Sequence, residues 1–223
     1  GMSWIMWSRA CAESMRMRCP VVWGRQGVGQ NCEGFLKSRR PVQQLVGERP
    51  DRMEEACGVF AVLAVEQPVA NLAYFGLYAL QHRGQESAGI AVFNQDKVRL
   101  HKDMGLVSQV FDQEVLARMP GDLAIGHNRY STTGSSRVCN AQPVVLMTRL
   151  GAFALAHNGN LVNAAELRQA VDDGQAEFTS TTDSELIAFA VQQAVDRGLD
   201  WPEAIRSALK LCQGAFSLVI GTS

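Results

Sequence analysis

The sequence predicts an α+β fold built from stacked antiparallel sheets with helices outside them. Two patterns carry this expectation. Short apolar runs rich in Val, Ile and Phe come in pairs around turn residues, as at 87–93 and 97–101 flanking Asn94-Gln95-Asp96. Paired strands also precede most of the helical segments, whereas a doubly wound parallel sheet would alternate strand and helix one for one. With 223 residues, 47% of them hydrophobic, the chain can bury one substantial core and carry an appendage.

Residues 1–52 differ in character from the rest. They mix Trp4, Trp7 and Trp23 with eight Arg and several Gly, without a sustained helical or strand period, and are expected to be poorly ordered. The stretch reads either as an Arg-rich targeting peptide or as an upstream extension without function, with Met53 as a natural start. Beyond it, 57–65 is apolar and Val-rich and predicts a buried strand. Residues 68–81 place Leu72, Phe75, Leu77, Tyr78 and Leu80 near helical spacing, opening with Pro68 and closing before Gly84. Strands at 87–93 and 97–101, a helix at 106–119 and a strand at 123–130 follow, then a polar loop over 131–141. Strands near 144–148 and 152–156, helices near 164–171, 184–197 and 202–212, and a last strand at 215–220 complete the order.

Charge and cysteine usage exclude several functions. Net charge is −1, yet residues 1–52 carry +5 and the remainder −6, so the folded part is mildly acidic and lacks the basic stripe of a nucleic-acid binder. Six scattered cysteines form no CxxC pair and no zinc spacing with the four histidines, which predicts no metal site and a reducing setting. The longest apolar run in the body, 68–80, is too short for a bilayer span and contains Asn71, so no membrane segment is expected.

Cys57 opens the first strand of the body. A lone Cys in such a place is ordinarily a small buried core residue. If the bond before it is cut, however, it carries a thiol of pKa about 8.5 beside an α-amine of pKa about 7.7 to 8.0, so nucleophile and base sit on one residue. Four polar clusters interrupt the apolar elements: Gln81-His82-Arg83-Gly84-Gln85-Glu86, the stretch from Gly126 to Gly134, Ala156-His157-Asn158-Gly159-Asn160, and Ser180-Thr181-Thr182-Asp183-Ser184-Glu185. Each falls at an element end, where a rigid scaffold can aim side chains at a ligand. Taken singly they read as punctuation, Asn158-Gly159 as a turn and Thr182-Asp183-Ser184-Glu185 as a helix start with an acidic first turn.

Together with Cys57-Gly58-Val59-Phe60, these clusters resemble a class II glutamine amidotransferase domain of the N-terminal-nucleophile (Ntn) hydrolase type, and within that class the glutaminase half of the amidophosphoribosyltransferases. The resemblance runs from about residue 54 to 223. It implies a four-layer αββα sandwich, with 1–56 as a leader or propeptide and 57–223 as a glutaminase domain, incomplete at its C-terminal end, and with the phosphoribosyltransferase domain absent. It implies glutamine hydrolysis by Cys57, with an oxyanion hole from the Asn158 side chain and the Gly159 N–H. By the same resemblance Arg129 grips the glutamine carboxylate, Asp183 receives its ammonium, and Thr132 and Gly84 are neighbouring pocket positions. His82, His127 and His157 are then structural, and Arg83 is either a loop clamp or a surface charge.

The resemblance also implies transfer of ammonia to phosphoribosyl pyrophosphate, giving 5-phosphoribosylamine at the first step of de novo purine (IMP) biosynthesis. No cofactor is expected in these residues. Mg²⁺, and in some members an iron–sulfur cluster, belong to the C-terminal domain. A homo-oligomer in the cytoplasm is expected for the full-length enzyme, or in a plastid if the leader is a transit peptide. Glucosamine-6-phosphate synthase and asparagine synthetase share this glutaminase chemistry with other acceptors, and an inert fragment is the non-enzymatic alternative.

Overall fold

The computed structural model describes residues 57–95, 97–130, 136–174 and 176–223, and the backbone of 3–8 and 21–22. Among the described residues, nine strands form two antiparallel sheets. One sheet takes β3 (Gly58–Leu63), β6 (Leu123–Arg129), β4 (Ser87–Asn94) and β5 (Lys97–Met104), in that order. The other runs β2 (Val21–Val22), β1 (Ser3–Ser8), β9 (Gly214–Thr222), β8 (Gly151–Leu161) and β7 (Val144–Thr148).

Strand alternation sends successive side chains to opposite faces and so builds three stacked apolar layers. On β8, Phe153 and Leu155 face α4 (Ala164–Val171), α5 (Asp183–Asp196) and α6 (Trp201–Lys210), joining Leu167, Ile187, Val191 and Ile205. The intervening Ala152, Ala154 and Ala156 face the other sheet and meet Ala91, Phe93, Leu123 and Ile125. On that sheet's far side, Ala88, Ile90 and Val92 pack under α1 (Val69–Ala79), α2 (Val107–Val110) and α3 (Gln113–Ala117), with Ala73, Leu77 and Phe111. The order is helices, sheet, sheet, helices, the αββα sandwich that the family resemblance implies. Alanines at alternate positions of β8 keep its inner face small where the sheets meet.

Three local differences have physical causes. The period over 106–119 predicts one helix, but two short ones form: Phe111 is extended, and the Asp112 side chain accepts the Val115 N–H at 2.7 Å to start α3 afresh. The strand expected at 152–156 continues through His157, Asn158, Gly159 and Asn160, because β9 pairs with it up to Leu161↔Gly214. Asn158-Gly159 is therefore strand and not a turn. Finally, Ser3–Ser8 is a strand despite the lack of period around it, running antiparallel to β9 from Ser3↔Thr222 to Ser8↔Ser217. Its Ser-Trp-Ile-Met-Trp-Ser sequence is rich in strand-favouring types, and β9 is thereby paired on both sides. Apart from Ser3–Ser8 and Val21–Val22, the 1–56 stretch lies outside the described residues.

Candidate active site

Cys57 immediately precedes β3, whose pairing with β6 places Gly58 opposite Asn128 and so brings Cys57 to the chain leaving β6. Its thiol sits against that backbone: the Tyr130 N–H donates to Sγ at 3.3 Å, and Sγ lies 3.5 Å from the Tyr130 carbonyl oxygen, which accepts from it. The Cys57 carbonyl accepts from Asn158 Nδ2 at 2.7 Å and from Arg83 Nε at 3.3 Å, so residues 26 and 101 positions away in sequence fix the same peptide. Arg129, the last residue of β6, is 4% exposed and donates from Nη1 to Glu86 Oε1 at 3.1 Å. Asp183 opens α5, where its carboxylate accepts the Leu161 N–H at 2.9 Å and stands 3.3 Å from His157 Nδ1. Cys57, Arg129 and Asp183 line an open pocket together with Tyr130, Gln142, His157, Gly159, Thr182 and Ser184.

The electrostatics suit a neutral thiol beside fixed charges. Burial pushes the Cys57 thiol up, and the Tyr130 N–H and the Arg129 charge only partly offset it. The thiol is therefore a poor thiolate by itself and needs a base at hand. Burial also pushes the Asp183 carboxyl up, but the hydrogen bond and charge of His157, with the Leu161 and Ser184 N–H groups, outweigh it and hold Asp183 below the usual carboxylate range. The pocket thus offers a guanidinium at one wall and a carboxylate at another, the complement of a zwitterionic α-amino acid.

Comparison with known proteins is a separate observation. Residues 127–223 match a glutamine amidotransferase domain family. The amidophosphoribosyltransferase of Synechococcus elongatus is 69% identical over 175 residues, covering 78% of this chain and 36% of that enzyme. That of Synechocystis is 62% identical over 181 residues, covering 81% and 37%. The solved glutamine phosphoribosylpyrophosphate amidotransferase of B. subtilis, complexed with ADP and GMP, superposes with a TM-score of 0.66 at 36% identity, over 74% of this chain and 35% of that one. This chain carries the glutamine amidotransferase domain of the amidophosphoribosyltransferase family. It spans 36% and 37% of the length of the two cyanobacterial relatives.

Within this amidotransferase domain the structure gathers Cys57, Arg129, Gly159 and Asp183 at the pocket, with Asn158 bonded to the Cys57 peptide. Gly159 has φ +140°, and a Cβ there would lie 2.5 Å from the Ala215 carbonyl oxygen, so the strand passes this point only as glycine. Gly84 is not among the lining residues. It lets the turn at Gln81–Arg83 lie on β6, since a Cβ would come within 2.8 Å of the Asn128 and Arg129 backbone. Thr132 lies outside the described residues. Arg83, open between clamp and surface charge on sequence, holds the Cys57 carbonyl.

The histidines divide. His82 Nδ1 lies 3.1 Å from the Ala79 carbonyl oxygen, and fully buried His127 has Nε2 3.0 Å from that of His157. His157 lines the pocket and contacts Asp183 and Ser184 Oγ, the latter at 3.1 Å. Tyr130, Gln142, Thr182 and Ser184 are lining residues that sequence reasoning missed. Thr182 and Ser184 flank Asp183 and could have been found from it, whereas Gln142 carries no local signature. Among the described residues no cluster of His, Cys, Asp and Glu could hold a metal ion, and no helix is long and apolar enough to cross a membrane.

Proposed function

We propose that this domain hydrolyses the side-chain amide of L-glutamine with Cys57 as nucleophile. The observation that carries the reading is the convergence of Cys57, the Arg129 guanidinium, Gly159 and the Asp183 carboxylate on one pocket, with the Asn158 amide bonded to the Cys57 carbonyl beside it. Glutamine binds with its α-carboxylate on Arg129 and its α-ammonium on Asp183, which leaves the side-chain amide directed at Cys57.

The chemistry then needs a base for the burial-raised thiol. Freed by cleavage of the Ala56–Cys57 bond, the α-amine of Cys57 takes the thiol proton, and the thiolate attacks the amide carbon. The oxyanion is met by Asn158 Nδ2 and the Gly159 N–H. The ammonium of Cys57 returns the proton to the leaving nitrogen, the C–N bond breaks, and ammonia departs from a thioester. Water, deprotonated by the same amine, attacks the thioester, releasing glutamate and restoring the thiol. While Ala56 remains attached, the Cys57 nitrogen is an amide and cannot act as base.

In the longer enzyme, the ammonia would pass to phosphoribosyl pyrophosphate in a separate, Mg²⁺-dependent phosphoribosyltransferase half, giving 5-phosphoribosylamine for purine synthesis. The amidophosphoribosyltransferase names of the relatives support this acceptor, and we extend the reading to a homo-oligomer working in the cytoplasm or a plastid. The test is glutamine hydrolysis by intact enzyme whose N-terminus is established by mass and sequencing. Activity confined to chains that begin at Cys57 is expected, and an active chain with Ala56 still attached would overturn the mechanism.

A further inference from the structure

Residues 140–143 form a buried bridge that the mechanism above does not use. The Ala141 carbonyl accepts from Lys102 Nζ of β5 at 2.6 Å, and the Gln142 carbonyl lies where a Cβ on Gly89 of β4 would come within 2.1 Å. So anchored to the first sheet, the segment reaches the second with two buried amide side chains. Gln142, 6% exposed, continues the β7 register: Val144 pairs with Leu155, so Gln142 stands opposite His157. There its side-chain amide does what a strand backbone would do. Oε1 accepts the His157 N–H at 2.7 Å and Nε2 donates to the His157 carbonyl at 3.2 Å.

Asn140, 1% exposed, makes the matching pair to the loop before α5. Its Oδ1 accepts the Thr181 N–H at 2.9 Å and Nδ2 donates to Thr181 Oγ1 at 3.1 Å. His157 is the neighbour of Asn158, and Thr181 stands two residues before Asp183. We propose that Gln142 and Asn140 are separate positioning residues for the two walls of the pocket. Gln142 sets the strand that carries the oxyanion donor, and Asn140 sets the loop that presents the carboxylate to the substrate ammonium. This assignment rests on the glutaminase reading for its kinetic consequences, but the bonding itself is independent of it.

The experiment uses the intact enzyme beginning at Cys57, with variants Gln142→Met and Asn140→Ala. Both variants keep apolar bulk or small size while deleting the paired amide. Amide hydrogen exchange reads the bridge directly: His157 should lose protection in Gln142→Met and Thr181 in Asn140→Ala, each without the other. Glutamine kinetics, normalised to sites titrated with a chloroketone analogue of glutamine, read the consequence. Since a misplacement of about 1 Å can cost on the order of 100-fold, Gln142→Met should lower kcat about 10- to 100-fold with KM within about threefold. Asn140→Ala should raise KM about 10-fold with kcat little changed, and Asn140→Asp, which keeps the acceptor for the Thr181 N–H, should recover part of the loss.

Unchanged protection at His157 and Thr181 would overturn the bridge. Lost protection with the same kinetic defect in both variants would overturn the division between the walls. A parent enzyme that neither turns over nor binds glutamine would refute the proposed function, while exchange would still decide the bridge.

Discussion

His127 is a buried side chain whose protonation is linked to the stability of the fold. It is wholly enclosed, and burial, the largest influence, holds it neutral with a pKa lowered to about 3. Its folded value lies below its unfolded one, so the native state binds fewer protons. The stability it supports is full above about pH 6.5 and is lost as pH falls toward 3, by up to about 1.4 kcal/mol per unit. Between pH 7 and 5, urea unfolding of His127→Gln should therefore show a pH dependence shallower than the parent's by about 2 kcal/mol, and equal slopes would place the acid response elsewhere. Asp183 has the same sign in a lower window, since its folded pKa is depressed: its contribution is present above the ordinary carboxylate value and disappears as pH falls below it. At the pocket, Arg129→Lys should chiefly raise the KM for glutamine, since an ammonium cannot reproduce a bidentate grip. Asn158→Ala should chiefly lower kcat, by about 100- to 1,000-fold, because its donor acts on charge that develops in the transition state. A normal turnover number for Asn158→Ala would remove it from the oxyanion hole.

The element scale is governed by caps and close approaches. Asp112 separates α2 from α3 by accepting the Val115 N–H, and Asp112→Ala should cost about 1 kcal/mol in chemical denaturation while leaving glutamine kinetics intact. On β8 the demand is steric. Gly159→Ala places a methyl 2.5 Å from the Ala215 carbonyl oxygen on a backbone of positive φ, so β9 must move or β8 must deform. Loss of both stability and turnover is expected, measured by the thermal midpoint and by active-site titration. A variant with parental midpoint and kcat would show that the strand tolerates the shift.

For the whole molecule, the proposed function requires a free Cys57 nitrogen, and therefore cleavage between residues 56 and 57. Asn158 and Arg83 both hold the Cys57 carbonyl, so cutting before Cys57 should change the chemistry without unfolding the sandwich. Circular dichroism and melting of the domain beginning at Cys57 should match those of the uncut protein, apart from what pairing of Ser3–Ser8 with β9 contributes. Glutamine hydrolysis should appear only in the cut form. Collapse of the fold on cutting would mean that the N-terminal strand is an obligatory part of the second sheet.

Residue patterning gave the order of most elements from residue 57 onward and stacked antiparallel sheets with helices outside, and the resemblance to a known family implied the four-layer sandwich. The cluster motifs, through their resemblance to a known family, also named Cys57, Arg129, Asn158, Gly159 and Asp183. Tertiary structure alone decided the rest. The Asn158-Gly159 dipeptide has the composition of a turn, yet β9 supplies hydrogen-bonding partners that keep it in a strand. Residues 106–119 have one helical period, but an Asp side chain competes for the backbone at its middle. Arg83 and Gln142 act through the backbone of Cys57 and His157, partners 26 and 15 residues away. Such bonds leave no local pattern, because a side-chain amide or guanidinium binds any peptide that the packing of two sheets brings within reach.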